Sequence, residues 1–305
     1  MNRRLLLAGG CASLVVAARP GFAQQLTPLD VAYAGSMGSM MEGPIKTAAA
    51  QALQIEMHGR GQGSDALAKL IVGGSIAPDV FIPITPAPMM TVLQGGKASQ
   101  AIPVARTEMV IAYSPKSKYA QQFADAAAGK RRAMPWWQIL QQSDVRFGRT
   151  DPVIDPQGRN IIFTIQLAEA YYMQPGLAAK ILSQVINPAQ IFSEPTVEAR
   201  LQSGELDAAS AYKIQPGPFN LPYIHLPQEI NLGNAAMHEL YAQTSLELNG
   251  KTFHPESLVY YAAVLDGAAH KDKAAAFVAW LTGGAQSIFR QYYYDPPTEA
   301  SPLHA

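Results

Sequence analysis

Two short turns carry the residue types that could hold a small anion. Ala34-Gly35-Ser36-Met37 and Gly61-Gln62-Gly63-Ser64 each close a strand-like run and open a helical one. A hydroxyl at such a junction lies beside the first backbone N–H groups of a helix, which lack intrahelical partners and sit at the positive end of its dipole. Serine there is also an ordinary N-cap, so either turn alone says little. Two of them in successive strand–turn–helix units say more, because strand ends of an α/β sheet converge on one crevice. Further along, Asp155-Pro156-Gln157-Gly158-Arg159 opens another helix and Ala211-Tyr212 ends another strand. The Tyr212 phenol donates an O–H at neutral pH, and a core tyrosine bonded to a nearby carbonyl is the alternative. Asp155 beside an anion would repel it unless protonated or turned outward, and a solvent-facing turn aspartate is the plainer reading. Arg159 and Lys213 read as solvated rim residues.

Other chemistries find less material. The six histidines, His58, His225, His238, His254, His270 and His304, form no His-Glu-x-x-His or other short-spaced pair, which argues against hydrolytic zinc. No nucleophile elbow, Ser-x-x-Lys pair, phosphate loop or Rossmann glycine fingerprint stands in a suitable context, so no catalytic residue is assigned and no cofactor is expected. The run Tyr292-Tyr293-Tyr294-Asp295 could ligate ferric iron through phenolates, but it reads better as the anchor of the C-terminal helix. Trp136, Trp137, Ile139 and Leu140 read as packing residues.

These turns need strands and helices to position them. Leu26 to Ala34 reads as a strand and 41–53 as a helix; Ile55 to His58 is a strand, Gly59 to Ser64 a turn, Asp65 to Ile71 a helix, and Asp79 to Ile84 a buried strand. Alternating strands and helices predict an α/β fold with mainly parallel sheets. Arg106 to Tyr113 reads as one apolar strand near a crossing into a second α/β set, comprising Arg146–Thr150, a helix over Asn160–Tyr172, a helix over Pro195–Ser203 and the strand Leu206–Tyr212. A strand within Lys251–Leu265 and a helix over Asp272–Leu281 return to the first set. The Pro-rich tail from Pro296 reads as loose.

The N-terminus reads as an export leader: Arg3 and Arg4, an apolar stretch from Leu5 to Ala18, then Gly21-Phe22-Ala23 before a cleavable bond. The stretch is shorter than the roughly 20 apolar residues of a spanning helix, and the paired arginines hint at twin-arginine export. Cys11, the single cysteine, falls inside the leader, so the mature chain has no thiol chemistry. Losing Arg3, Arg4 and Arg19 turns an even balance of 23 basic and 23 acidic residues into a slight acidic excess, which is not the surface of a nucleic-acid binder.

In this order, Tyr33-Ala34-Gly35-Ser36-Met37, Gly63-Ser64-Asp65, Pro78-Asp79-Val80-Phe81, Asp144-Val145-Arg146-Phe147-Gly148, Asp155-Pro156-Gln157-Gly158-Arg159, Gly204-Glu205-Leu206-Asp207-Ala208 and Leu226 to Leu232 resemble the periplasmic molybdate/tungstate-binding proteins of ABC importers, type II solute-binding proteins. The resemblance runs from about Val31 to Tyr294. It implies a two-lobed fold, with residues 24–105 and 246–305 in one lobe, 106–245 in the other, and a hinge between them. It implies a ligand set of Ser36, Met37, Ser64, Asp155, Gln157, Val197 and Tyr212, the family's backbone donors falling near Gln157 and at Thr196 or Val197. It implies no metal beyond the centre of the oxyanion, a periplasmic monomer, and an inner-membrane permease as partner. The branch with six-fold coordination adds two carboxylates; one matches Asp155, but the glutamate position is Ala211, which implies tetrahedral capture by neutral donors. Sulfate, phosphate or ferric iron as ligand, and an exported enzyme on the same scaffold, are the alternatives. N-terminal sequencing of the exported protein is expected to find Gln24 first; retention of residues 1–23 would overturn the leader.

Overall fold

The computed structural model describes residues 26–305, so the leader and its cleavage point lie outside the described residues. In chain order the strands are β1 Thr27–Ala34, β2 Ile55–Gln62, β3 Val80–Ile82, β4 Gln100–Arg106, β5 Met109–Tyr113, β6 Phe147–Gly148, β7 Ala208–Tyr212, β8 Tyr223–His225, β9 Leu246–Leu248, β10 Lys251–Phe253, β11 Val259–Val264 and β12 Leu303–His304. In the first lobe β1 lies between β2 and β3. Leu29, Val31 and Tyr33 face one apolar layer with Met37, Met40 and Ile45, while Ala32 faces another with Leu67, Phe81 and Met89. Burial on both faces explains its near-continuous apolar sequence.

The two-lobed α/β architecture follows. One sheet has the order β12-β4-β11-β3-β1-β2, the second β6-β7-β5-β8, and β9 and β10 form a separate hairpin. Both sheets are mixed, which corrects the expectation of mainly parallel ones. β1 runs parallel to β2 and β3, but β11 is antiparallel to β3 and β4, and β5 is antiparallel to β7 and β8. The direction is set by route: β5 enters from the other lobe and β11 returns from it, so neither is joined to its neighbour by the helical crossover that enforces parallel pairing.

Three further expectations change. β2 does not stop at His58 but runs to Gln62, paired along its whole length with Thr27–Ala34. Gly59 and Gly61 belong to the strand because Tyr33 covers them: a Cβ at Gly61 would meet Tyr33 Cε2 at 2.8 Å. The run Arg106–Tyr113 is two strands in different sheets, broken at Thr107 and Glu108. The tail is not loose, since β12 pairs with Gln100 and Ala101 of β4 and Leu303 packs on the second apolar layer; it closes an otherwise bare sheet edge.

Between the lobes, three chain segments lie side by side. Thr107 N–H donates to Leu258 O at 3.0 Å, Leu258 N–H to Leu232 O at 2.8 Å, and Met109 N–H to Asn231 O at 2.8 Å. Glu108 fixes this junction, accepting from Asn231 Nδ2 at 3.1 Å and pairing with His225 Nδ1 at 2.6 Å. Lys213, expected at a solvated rim, instead pairs with Asp295, which itself bridges backbone to backbone with Arg106.

In the second lobe Asp207 holds the sheet to its surroundings. Its carboxylate accepts from Arg146 N and Nε at 2.8 and 2.9 Å, Arg146 Nη2 at 2.9 Å and Ser117 Oγ at 2.7 Å. Burial acts to raise this carboxyl, but the bonds from Arg146 and Ser117 prevail and hold it below its ordinary range. Its stabilisation is therefore present above the unfolded-state pKa of about 3.9 and lost as pH falls through the lower folded value. Urea unfolding is expected to find Asp207→Ala about 2–4 kcal/mol less stable than wild type at neutral pH, the gap shrinking on acidification; an unchanged gap would show that the carboxylate's charge plays no part.

Candidate functional site

The C-terminal ends of β1, β2 and β3 and the first turn of the Pro156–Tyr171 helix face each other across a cleft of about 690 Å³. Ala34 to Ser36, Gln62 to Asp65, Ile84, Thr85, Ala87 and Pro88 form one wall; Ile154 to Gln157, Arg159, Asn160, Phe163, Glu194 and Tyr212 form the other, with Thr252 to His254 and Glu256 at the side. This is the crevice at strand ends where α/β sheets bind ligands.

Ser64 opens the Ser64–Val72 helix, whose N-terminus has no side-chain cap. Its Oγ is not used as a cap; it accepts the Ile84 N–H at 3.3 Å. That bond occupies a lone pair and leaves the O–H free to donate. Ser36 begins a helical run that opens with a 3₁₀ turn, Gly35–Met37, and is stretched into a π turn at Met41–Ile45, where Pro44 cannot donate. Its Oγ lies 3.0 Å from the Tyr260 hydroxyl, and Tyr294, in ring contact with Tyr260 at 5.4 Å, reaches the Ser36 carbonyl at 3.4 Å. The Ser36–Tyr260 bond can run either way. With an acceptor in the cleft, donation from Tyr260 to Ser36 releases the serine proton.

On the opposite wall Tyr212 accepts from Asn160 Nδ2 at 3.0 Å, so its phenol also has its proton to offer. Burial, then the nearby Asp155, push the Tyr212 hydroxyl well above its ordinary value, and it stays protonated. Gln157 is committed elsewhere: its N–H donates to Asp155 Oδ1 at 2.9 Å, its Nε2 to Ser210 O at 3.2 Å, and its Oε1 accepts from Gln215 at 2.9 Å. Asp155 is thus the N-cap of the Pro156–Tyr171 helix, filling the helix-terminus anion site with a side chain of its own. Arg159 lines the cleft, donating to Pro152 O at 3.0 Å with its guanidinium 4.6 Å over Phe253.

Four carboxyl groups, those of Asp65, Asp155, Glu194 and Glu256, share the lining. Burial, then Asp155, raise Glu194; burial above all raises Glu256. Among the described residues no group of three or more His, Cys, Asp or Glu is placed to hold a metal ion.

Of the residues singled out from sequence, Ser36, Ser64, Asp155, Gln157 and Tyr212 line the cleft together. Met37 and Val197 do not. Met37 is 0% exposed, turned into the core beside Tyr33, and Val197 packs with Leu201 and Leu206 while its N–H, like that of Thr196, donates to Ser193 O. Sequence reading missed Asn160, Glu194, Glu256 and Tyr260. Glu194-Pro195 at a helix start was the one local signal, since acids favour that end of the dipole; Asn160 and Glu256 face the cleft only through the fold, and Tyr260 is buried behind Ser36.

Comparison with known proteins places the chain in context. A family model described as bacterial extracellular solute-binding protein matches residues 29–295. The molybdate/tungstate-binding protein WtpA of Pyrococcus abyssi is 31% identical over 213 residues, 63% of this chain and 60% of that protein; the match thus spans well under two thirds of its length. Among solved structures, the substrate binding domain of a putative molybdenum ABC transporter from Clostridium difficile superposes with a TM-score of 0.59 at 15% identity, covering 88% of this chain and 99% of that one. The sulfate-binding protein SubI from Mycobacterium tuberculosis gives 0.57 at 13%, covering 90% and 88%. At these identities the superpositions speak for the fold, and the fold is shared by receptors of different solutes.

The second wall of the cleft depends on one close approach. A Cβ at Gly158 would meet Thr150 O at 2.5 Å and Pro152 N at 2.7 Å, both backbone atoms that cannot swing aside. Gly158→Ala is therefore expected to destabilise by about 1–3 kcal/mol in urea unfolding, displacing the loop that carries Asp155; unaltered stability would show that the loop yields freely.

Proposed function

Because the chain belongs to the bacterial extracellular solute-binding protein family, we propose that it captures a tetrahedral oxyanion, molybdate or tungstate, between its lobes and hands it to the permease of an ABC importer. The observation that carries this reading is the state of the three hydroxyls. Ser64 accepts from the Ile84 N–H and Tyr212 from the Asn160 amide, so each has a proton to donate; Ser36 has one when Tyr260 donates to it, and two walls contribute. Three converging O–H donors suit an acceptor-only ligand whose charge is spread over several oxygens.

Residues 24–105 and 246–305 act as one lobe and 106–245 as the other in this reading. The open cleft has the volume of a drug-sized site, far more than a four-oxygen anion fills, so binding entails closure about the Thr107 and Leu258 junction. Closure expels water and strengthens each O–H bond to the anion. Gln157 contributes by holding Tyr212's surroundings through Gln215, and its backbone N–H becomes available only if Asp155 swings away. The relatives named for molybdate and tungstate support the choice of ligand; the neutral donors fit sulfate and phosphate in shape as well, and export to the periplasm supplies the setting.

Isothermal titration of the chain from Gln24 with molybdate, tungstate, sulfate and phosphate tests the reading. Tight binding of molybdate or tungstate is expected, with Ser36→Ala, Ser64→Ala and Tyr212→Phe each weakening it about 10- to 100-fold, the worth of one hydrogen bond to a charged group. Preference for sulfate or phosphate would reassign the ligand, and no binding of any oxyanion would overturn the function.

A further inference from the structure

One carboxylate near the C-terminus is shared by two cations that belong to different sheets. Arg106 ends β4 of the first sheet and Lys213 directly follows β7 of the second. Asp295 Oδ2 pairs with Lys213 Nζ and lies 4.0 Å from Arg106 Nη2. Both cations are tied to the junction between the lobes. Lys213 N–H donates to Glu108 O at 2.9 Å, and Arg106 Nη1 donates to Gly233 O at 3.1 Å. Asp295 is fixed by its own backbone, which exchanges bonds of 2.9 and 3.0 Å with Arg106, while Arg106 Nε reaches Pro296 O at 3.2 Å. The side chains of Lys213, Asp295 and Arg106 are only 11%, 25% and 24% exposed, so salt and solvent screen their charges little. The residues just before Asp295 grip the same two bodies. A Cβ at Gly217 would fall within the Tyr293 ring, so that ring is seated on backbone between β7 and β8 of the second sheet. Tyr294 packs instead on Tyr260 of the first sheet, ring centroids 5.4 Å apart. Tyr293 has a φ of 67°, a left-handed conformation that a residue with a Cβ keeps only where its surroundings impose it.

We propose that the segment from Tyr293 to Pro296 is a noncovalent clasp across the hinge, in which the Asp295 carboxylate sets how far apart the two walls of the cleft stand. This rests on the lobes moving about their junction, as read above, and is independent of which solute binds. Charge decides the action of the clasp. Lys213 and Arg106 approach one oxygen from opposite lobes, so the carboxylate draws both toward a common point. Without it, two poorly solvated cations face each other across the junction, and moving one lobe away from the other relieves the repulsion. Glu108, the acid already at the junction, is engaged with Asn231 and His225 and does not take the place of Asp295. The clasp also reaches donors on both walls. Lys213 is the residue after Tyr212, and Tyr294 stands behind Ser36, its hydroxyl 3.4 Å from the Ser36 carbonyl. Pushing Lys213 away from Arg106 therefore carries Tyr212 away from Ser36.

The chain from Gln24 has no cysteine, so spin labels on Lys69→Cys and Ala128→Cys, exposed positions in the first and second lobes, report the separation of the lobes by pulsed electron resonance. In the unliganded protein Asp295→Asn is expected to lengthen the mean distance and broaden its distribution. Adding Lys213→Met to Asp295→Asn is expected to return the mean toward that of the labelled parent, because one of the two opposed cations is gone. Rescue by a second substitution separates charge from packing, since lost packing would only grow. Tungstate affinity is expected to fall about threefold to tenfold in Asp295→Asn, as fewer molecules hold the separation from which the cleft closes, and to recover in the double variant. An unchanged or shorter mean in Asp295→Asn overturns the clasp, as does a lengthening that persists in the double variant. If tungstate shortens the distance in the parent while Asp295→Asn changes nothing, the clasp falls and closure on the oxyanion stands. If Asp295→Asn lengthens the distance and tungstate does not bind, the clasp stands and the oxyanion reading falls.

Discussion

The cleft hydroxyls of Ser36, Ser64 and Tyr212 are each tied from behind by a bond within the protein, and much of the fold is arranged around those ties. Ser64 needs the backbone of Ile84, which comes from the turn after β3. Tyr212 needs Asn160, one turn into the longest helix. Ser36 needs Tyr260, on a strand that returns to the first sheet after the chain has built the whole second lobe. A hydroxyl left free would rotate, donating to water or to a neighbouring carbonyl; one with a fixed acceptor bond has its proton aimed in advance. Preorganised donors of this kind lose less on binding, because the ordering has been done by folding.

The strand–turn–helix units were legible in the sequence because they depend on local periodicity and on turn chemistry. What was not legible depends on neighbours far along the chain. Gly59 and Gly61 look like turn residues until Tyr33 is seen lying over them in the adjacent strand. The apolar run Arg106–Tyr113 carries no local mark of the break at Thr107, which is imposed by two sheets competing for its two halves. Ser36, Ser64, Asp155, Gln157 and Tyr212 could be picked out because each stands at the end of a strand or the start of a helix. Met37 and Val197 stand beside such residues but turn into the core, and Glu194 lines the cleft from a segment with no glycine-rich turn to announce it.

Several of the motifs that carry the family resemblance are scaffold and not ligand contacts. Arg146 and Asp207 bind each other. Asp79 accepts the backbone N–H groups of Asp30 and Ala269, tying β1 to the returning chain. Asn231 serves the junction between the lobes through Glu108 and Gly233. Such residues speak for the architecture, which their bonds hold together, and they say little about the solute.

The segment from Tyr294 onward joins parts that sequence order keeps apart. Tyr294 lies against Tyr260 and Phe289 and reaches the Ser36 carbonyl, while Asp295 pairs with Lys213 of the second lobe and β12 seals the edge of the first sheet. Ser36 in the cleft is therefore backed by residues far along the chain. A chain made from its N-terminus has β1 and its turn long before it has their support, so this wall of the cleft takes its final form only after the second lobe has been built.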